Sequence, residues 1–197
     1  YHYKPSDPKG TQRDSVQTID LLSSKAYHSV TKPVLGEMAF DGKLAWSTFP
    51  PEKMHPRFWS LTPYYFVGMP FVFSDPGVHL ALIQEDPRKA KLPDSYVIRV
   101  TYGKNIGDAP DDYYILYVAK SDYQLLAIRY VVSYKPFFEG TEMKHTPEKL
   151  LVFSDHQTHA GIVLAHTHTF YDFTKGKRGK RVTTSRLSEV KTDVVFS

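Results

Sequence analysis

Four histidines toward the C-terminal end carry the sharpest chemical signal: His156, His159, His166 and His168. On a strand, His166 and His168 lie two residues apart and share a face, and paired imidazoles chelate Zn, Cu or Ni. His156 and His159 fall in the turn-like stretch before that strand, from which either supplies a third ligand. The competing expectation turns Thr167 and Thr169 inward and leaves the histidines on a solvated strand face or hydrogen-bonded among tyrosine hydroxyls. The spacing is not the His-Glu-x-x-His of a zinc hydrolase helix.

Two loops hold other candidate groups. Asp108, Asp111 and Asp112 crowd one turn and offer the hard oxygens that Ca²⁺ accepts, or they cap backbone N–H groups in a bend fixed by Pro110. Lys175-Gly176-Lys177-Arg178-Gly179-Lys180-Arg181 puts five cations in seven residues between two expected strands. Such a loop either meets anionic lipid headgroups or is a solvated tip that discourages edge pairing. It lacks the interleaved aromatics of a nucleic-acid surface, so no nucleic-acid partner is expected.

Several chemistries are not supported. Cysteine is absent, which removes disulfides, thiolate metal sites and cysteine nucleophiles. There is no Gly-x-Ser-x-Gly elbow and no phosphate-binding glycine loop, and the Glu85-Asp86 pair lies in turn-like sequence. No cofactor beyond a divalent metal on the histidines is indicated.

The elements that must position these groups are mostly strands. With 14 Tyr, 12 Phe and 2 Trp among 197 residues, the composition favours sheets and large amphipathic surfaces. The length fits one domain, residues 1–197, and the net charge of +4 is a mild bias. No stretch approaches the roughly 20 apolar residues that span a bilayer. Tyr1 to Tyr3 reads as the end of a strand, followed by a turn at Pro5 to Gly10. Ser15–Leu22, Lys25–Val30 and Leu35–Phe40 alternate, and Asp41-Gly42 turns a hairpin into Leu44–Phe49, giving a meander. Between Met54 and Phe73 the residues Phe58, Leu61, Tyr65 and Met69 recur at helical spacing, with interruptions expected at Pro63 and Pro70. Six further strands are expected at Tyr96–Tyr102, Tyr113–Val118, Leu125–Tyr134, Lys149–Phe153, Ile162–Phe173 and Val182–Phe196. In the second of these Tyr113, Ile115 and Tyr117 face one way and Tyr114, Leu116 and Val118 the other, so both faces are expected to be covered. The aromatic segment supplies either ordinary core or the lining of an apolar cavity made by Phe58, Trp59, Tyr65, Phe66, Met69, Phe71 and Phe73.

Two stretches, MAFDGKLAW at Met38–Trp46 and IGDAPDDYYILYVAKSDYQLLAIRYVVSY at Ile106–Tyr134, resemble a family of uncharacterised secreted proteins and lipoproteins. Between them, Tyr65 to Asp75 is similar to that family's helical FYFYAMPFVLAD segment, and Gly161-Ile162 matches its late Gly-Ile strand start. The resemblance implies a LolA-like fold: a mainly β, strongly curved, open antiparallel sheet covered by one or two helices. It also implies a periplasmic or outer-membrane-associated protein whose concave face holds a lipid or other apolar molecule. The family's helix with a His-Gly-Gly-like start is missing before Tyr1, so the domain is expected to lack its N-terminal helix, with any targeting segment upstream. Where the family has proline after Gly-Ile, this chain reads Leu164-Ala165-His166-Thr167-His168. Three functions follow as expectations: a non-enzymatic extracytoplasmic carrier or sensor, a metal-dependent hydrolase built on the histidines, or a structural domain whose sheet edge pairs with another chain.

Overall fold

The computed structural model describes residues 1–10, 12–50, 54–84, 86, 92, 94–104, 106–109, 111–192 and 194. Glu85, Pro110 and Phe196 of the sequence expectations lie outside them. The strands are β1 (His2–Ser6), β2 (Asp14–Asp20), β3 (Lys25–Lys32), β4 (Gly36–Phe40), β5 (Ala45–Ser47), β6 (Val78–Ile83), β7 (Ser95–Tyr102), β8 (Tyr114–Ala119), β9 (Leu125–Tyr130), β10 (Lys149–His159), β11 (Ile162–Thr174) and β12 (Lys177–Ser188). Among the described residues there is one α-helix, α1 (Pro56–Gly68), between β5 and β6; a 3₁₀ turn follows it at Phe71–Ser74 and another lies at Lys135–Phe137. The strands form one open antiparallel sheet in the order β5-β4-β3-β2-β1-β12-β11-β10-β9-β8-β7-β6. The fold is therefore mainly β with a helical cover, as expected.

The meander is written in its turns. Asp41 accepts the N–H groups of Lys43 and Leu44 at 2.8 Å each, and Gly42 adopts φ +100°, a conformation a side chain would strain. Lys175 and Gly176 both take positive φ and make a two-residue hairpin turn. That corrects one expectation: the cations from Lys177 to Arg181 are strand residues of β12, not a loop, because the turn needs two residues only. A second correction concerns β6, which joins the sheet although no strand was expected there.

The chain divides into two compact units. Unit 1 comprises Tyr1–Val72, Ser154–His168 and Thr183–Ser197. Its strand register sets Gln17 opposite His28, His28 opposite Met38, and Ala26 opposite both Ile19 and Phe40, so these residues share one face. Helix α1 packs on that side, against β3, β4 and β5. The buried His28 donates from Nε2 to the Ser60 carbonyl at 2.8 Å, and Arg57 lies 4.6 Å over the Phe40 ring. Val67 meets Tyr3 and Leu187. A Cβ on Gly68 would come within 2.6 Å of the Leu21 Cδ2 methyl and 2.9 Å of Val72 Cγ1, so a larger residue there would need those side chains to shift.

Pro63 does not interrupt the helix, contrary to expectation. The proline removes the N–H that would reach the Trp59 carbonyl, and Trp59 is on the exposed side, 36% accessible. Two hydroxyls also donate back along the helix, Ser60 Oγ to Pro56 O and Thr62 Oγ1 to Phe58 O, both at 2.7 Å. The break falls at Pro70, where the chain passes into the 3₁₀ turn.

Unit 2 comprises Phe73–Phe153 and Thr169–Val182. One face of its strands carries a core of Ile115, Tyr117, Ala127, Leu150 and Phe173, against which Ile83, Leu92, Val97 and Val152 pack. The opposite face carries Tyr114, Leu116 and Ile128, all buried, so both faces of β8 are covered as the alternation implied.

Candidate functional site

The side of unit 2 away from that core is apolar across five strands. The register sets Leu80 opposite Val100 and Leu82 opposite Ile98, then Val100 opposite Tyr114 and Ile98 opposite Leu116. It continues with Leu116 opposite Ile128 and Ile128 opposite Leu151. Directly opposed residues in an antiparallel pair share a face, so these side chains form one surface. Its central part is closed: Val100, Leu116, Ile128 and Leu151 are buried, and the Phe73 ring lies 5.4 Å from that of Tyr114. Its rim on β6 is open, with Leu80 58% and Leu82 65% exposed. Full burial of a leucine is worth about 1.5–3 kcal/mol, so an apolar occupant gains most at this rim.

The seven aromatic and methionine candidates are spread over this description. Phe66 and Met69 are buried in unit 1, Phe58 and Tyr65 are half-buried there, and Phe73 is buried in unit 2. Trp59 and Phe71 face solvent, Phe71 at 42%. Phe58 and Trp59 touch edge to face with centroids 5.2 Å apart.

The histidines point the other way from one of the two sequence expectations. His166 and His168 are buried and alternate with half-exposed Thr167 and Thr169, so it is the imidazoles that face inward. His159 and His166 meet Nε2 to Nε2 at 2.7 Å, with ring planes 12° apart and centroids 4.9 Å apart. Those values place the two nitrogens on the line between the rings, so the rings are joined head to head by one hydrogen bond. One ring donates and the other accepts, and a shared metal would need both lone pairs turned to a third point. His168 instead lies beside Tyr3, with ring centroids 6.4 Å apart. Burial depresses the His168 pKa to about 3, and His156 and His166 push it the same way. Burial also lowers His166, with His159 adding to the effect. Among the described residues no group of three or more His, Asp or Glu side chains is arranged to hold a metal ion.

The aspartate loop behaves as a bend. Asp112 accepts the Ser133 backbone N–H at 2.6 Å, and burial raises its carboxyl to about 6. Asp108 and Asp111 are exposed. The cations Lys177, Arg178, Lys180 and Arg181 are exposed along β12, and Arg178 stacks 5.0 Å over Tyr171.

One cluster has no local signature in the sequence. Arg129, 2% exposed, donates to Tyr117 Oη at 2.7 Å, to Asp86 Oδ2 at 2.8 Å and to both Glu148 oxygens at 3.0 and 3.1 Å. Tyr117 donates in turn to Asp86 Oδ2 at 2.6 Å. Burial raises the Tyr117 hydroxyl to about 12, helped by the bond to Asp86. Burial opposes the Arg129 charge, yet Tyr117, Glu148 and Asp86 outweigh it and raise its pKa. Both carboxylates are engaged by the guanidinium, which makes this a fastening for the segment carrying Asp86 rather than a poised acid and base.

No family model matches the chain, and no curated protein matches it. Among solved structures, it is similar to a LolA superfamily protein from Nitrosomonas europaea, with a TM-score of 0.61 over 98% of this chain and 84% of that one. The fold is LolA-like. A DUF1329 family protein from Desulfovibrio piger is also similar, with a TM-score of 0.53 over 100% of this chain and 85% of that one. Identities of 12% and 13% make this a likeness of fold alone. The apolar face and its rim on β6 were missed by the sequence reading. The signal was there in Val78-His79-Leu80-Ala81-Leu82, which alternates large apolar with small or polar side chains.

Proposed function

We propose that this chain is a non-enzymatic extracytoplasmic carrier or sensor that takes a lipid or other apolar molecule on the apolar face of unit 2. The observation that carries the reading is the open rim of that face, where Leu80 and Leu82 stay exposed beside buried Val100 and Leu116. A face closed throughout would be core, and a face open throughout would not survive in water. A covered centre with an open apolar margin is the form a ligand surface takes. The LolA-like fold supports a carrier role and a place outside the cytoplasm. Trp59 and Phe71, exposed in unit 1, are the aromatic candidates available to an apolar molecule in that unit.

The test is ligand occupancy. Native mass spectrometry on protein isolated from its own host should show a bound lipid-sized species, and a fluorescent fatty acid should bind saturably. Protein that carries nothing and does not bind the fatty acid overturns the reading.

A further inference from the structure

Among the described residues β6 closes one end of the sheet order, with a neighbouring strand on its β7 side alone. Two other margins are defended. β5, at the opposite end, is three residues long. β12 is paired to β1 at Thr184–Ser188, and beyond that pairing its residues 177–182 carry Lys177, Arg178, Lys180 and Arg181. Short length and rows of lysine and arginine are the usual protections against edge pairing. β6 has neither: it is six residues long, without Lys, Arg, Asp, Glu, Pro or Gly, and two exposed leucines project from it.

We infer that β6 is a pairing edge for a second copy of this chain, joined antiparallel about a two-fold axis at Ala81. The segment Leu80-Ala81-Leu82 reads the same in both directions. An antiparallel two-fold axis through Ala81 therefore sets Leu80 of each copy opposite Leu82 of the other, on one face and with no charge in the seam. The β12 margin would repel its own copy by its four cations, so charge selects β6 as the self-complementary edge. The pairing also joins the two apolar faces across the axis. The inference rests on the edge and its symmetry and stands whether or not that face binds a ligand.

Two double variants separate the alternatives, since both remove the apolar rim equally. In L80K/L82K the axis sets lysine against lysine twice. In L80K/L82E it sets lysine against glutamate twice. Sedimentation equilibrium should show the wild type as a dimer and L80K/L82E as a dimer. L80K/L82K should dissociate with a constant up to about thirtyfold weaker than L80K/L82E, from two opposed pairs worth up to roughly 1 kcal/mol each. Circular dichroism checks that both stay folded, as expected for exposed positions. A wild type that is monomeric at its highest soluble concentration overturns the inference. So do two variants with equal dissociation constants, which would place any dimer contact elsewhere. Fatty-acid binding reads the carrier proposal separately: both variants should weaken it alike, whatever their assembly.

Discussion

His28 couples the seating of α1 to pH. Its Nε2 must donate, because the Ser60 carbonyl can only accept, and the ring is buried beneath the helix. Burial drops its pKa to about 4, with the Ser60 bond opposing, against an unfolded value near 6.5. The folded state thus refuses a proton that the unfolded state accepts. The neutral form's stability is intact above pH 6.5, is lost as pH falls, and the loss levels off below about pH 4. At about 1.4 kcal/mol per pH unit the gap amounts to about 3 kcal/mol, of which about 2 kcal/mol is lost by pH 5. His168, depressed to about 3 by burial, adds loss of the same sign, so the effect must be read as a difference. His28→Gln keeps an N–H donor for Ser60 and does not titrate. Urea unfolding of both proteins at pH 7 and pH 5 should show the variant losing about 2 kcal/mol less than the wild type over that interval. Equal losses would mean that His28 titrates as it does in water, and that the helix does not desolvate it.

Arg129→Met leaves Asp86 and Glu148 without their cation and should cost about 3–5 kcal/mol, seen as a melting temperature lower by on the order of 10 °C. A change below about 1 kcal/mol would mean that solvent screens the cluster. Asp112→Asn should stabilise the protein by about 1 kcal/mol at pH 8 and leave it unchanged near pH 3. A carboxyl raised to about 6 by burial opposes folding once ionised and not while protonated, so equal melting shifts at both pH values would refute that origin. Equimolar zinc should leave the melting temperature unchanged, because His159 and His166 are engaged nitrogen to nitrogen. A stoichiometric rise that His159→Ala abolishes would restore the metal reading of His156, His159, His166 and His168.

What could be read from sequence followed the range of the forces involved. Asp41-Gly42 announced its hairpin because the turn is made by its own residues, and the alternation of Tyr113 to Val118 announced two covered faces. Pro63 misled because the rule for proline in a helix counts the lost bond to the Trp59 carbonyl but not where that residue sits, and Trp59 lies on the exposed side of the placed helix. β6 was missed because six residues built on leucine and alanine suit either a strand or a helix, and pairing with β7 decides it. The inward histidines depended on which face of β11 meets Tyr3, a contact of residues 165 positions apart. Arg129 finds Asp86 across 43 residues and Glu148 across 19, a distance no local motif spans.

The most direct measurement of the carrier account is photo-crosslinking with a diazirine fatty acid, followed by peptide mapping. The account predicts a saturable adduct, competed by unlabelled fatty acid, on peptides containing Val78–Ile83 or Ser95–Tyr102. Labelling that does not saturate, or that maps to the outer faces of β2 and β3, would contradict it.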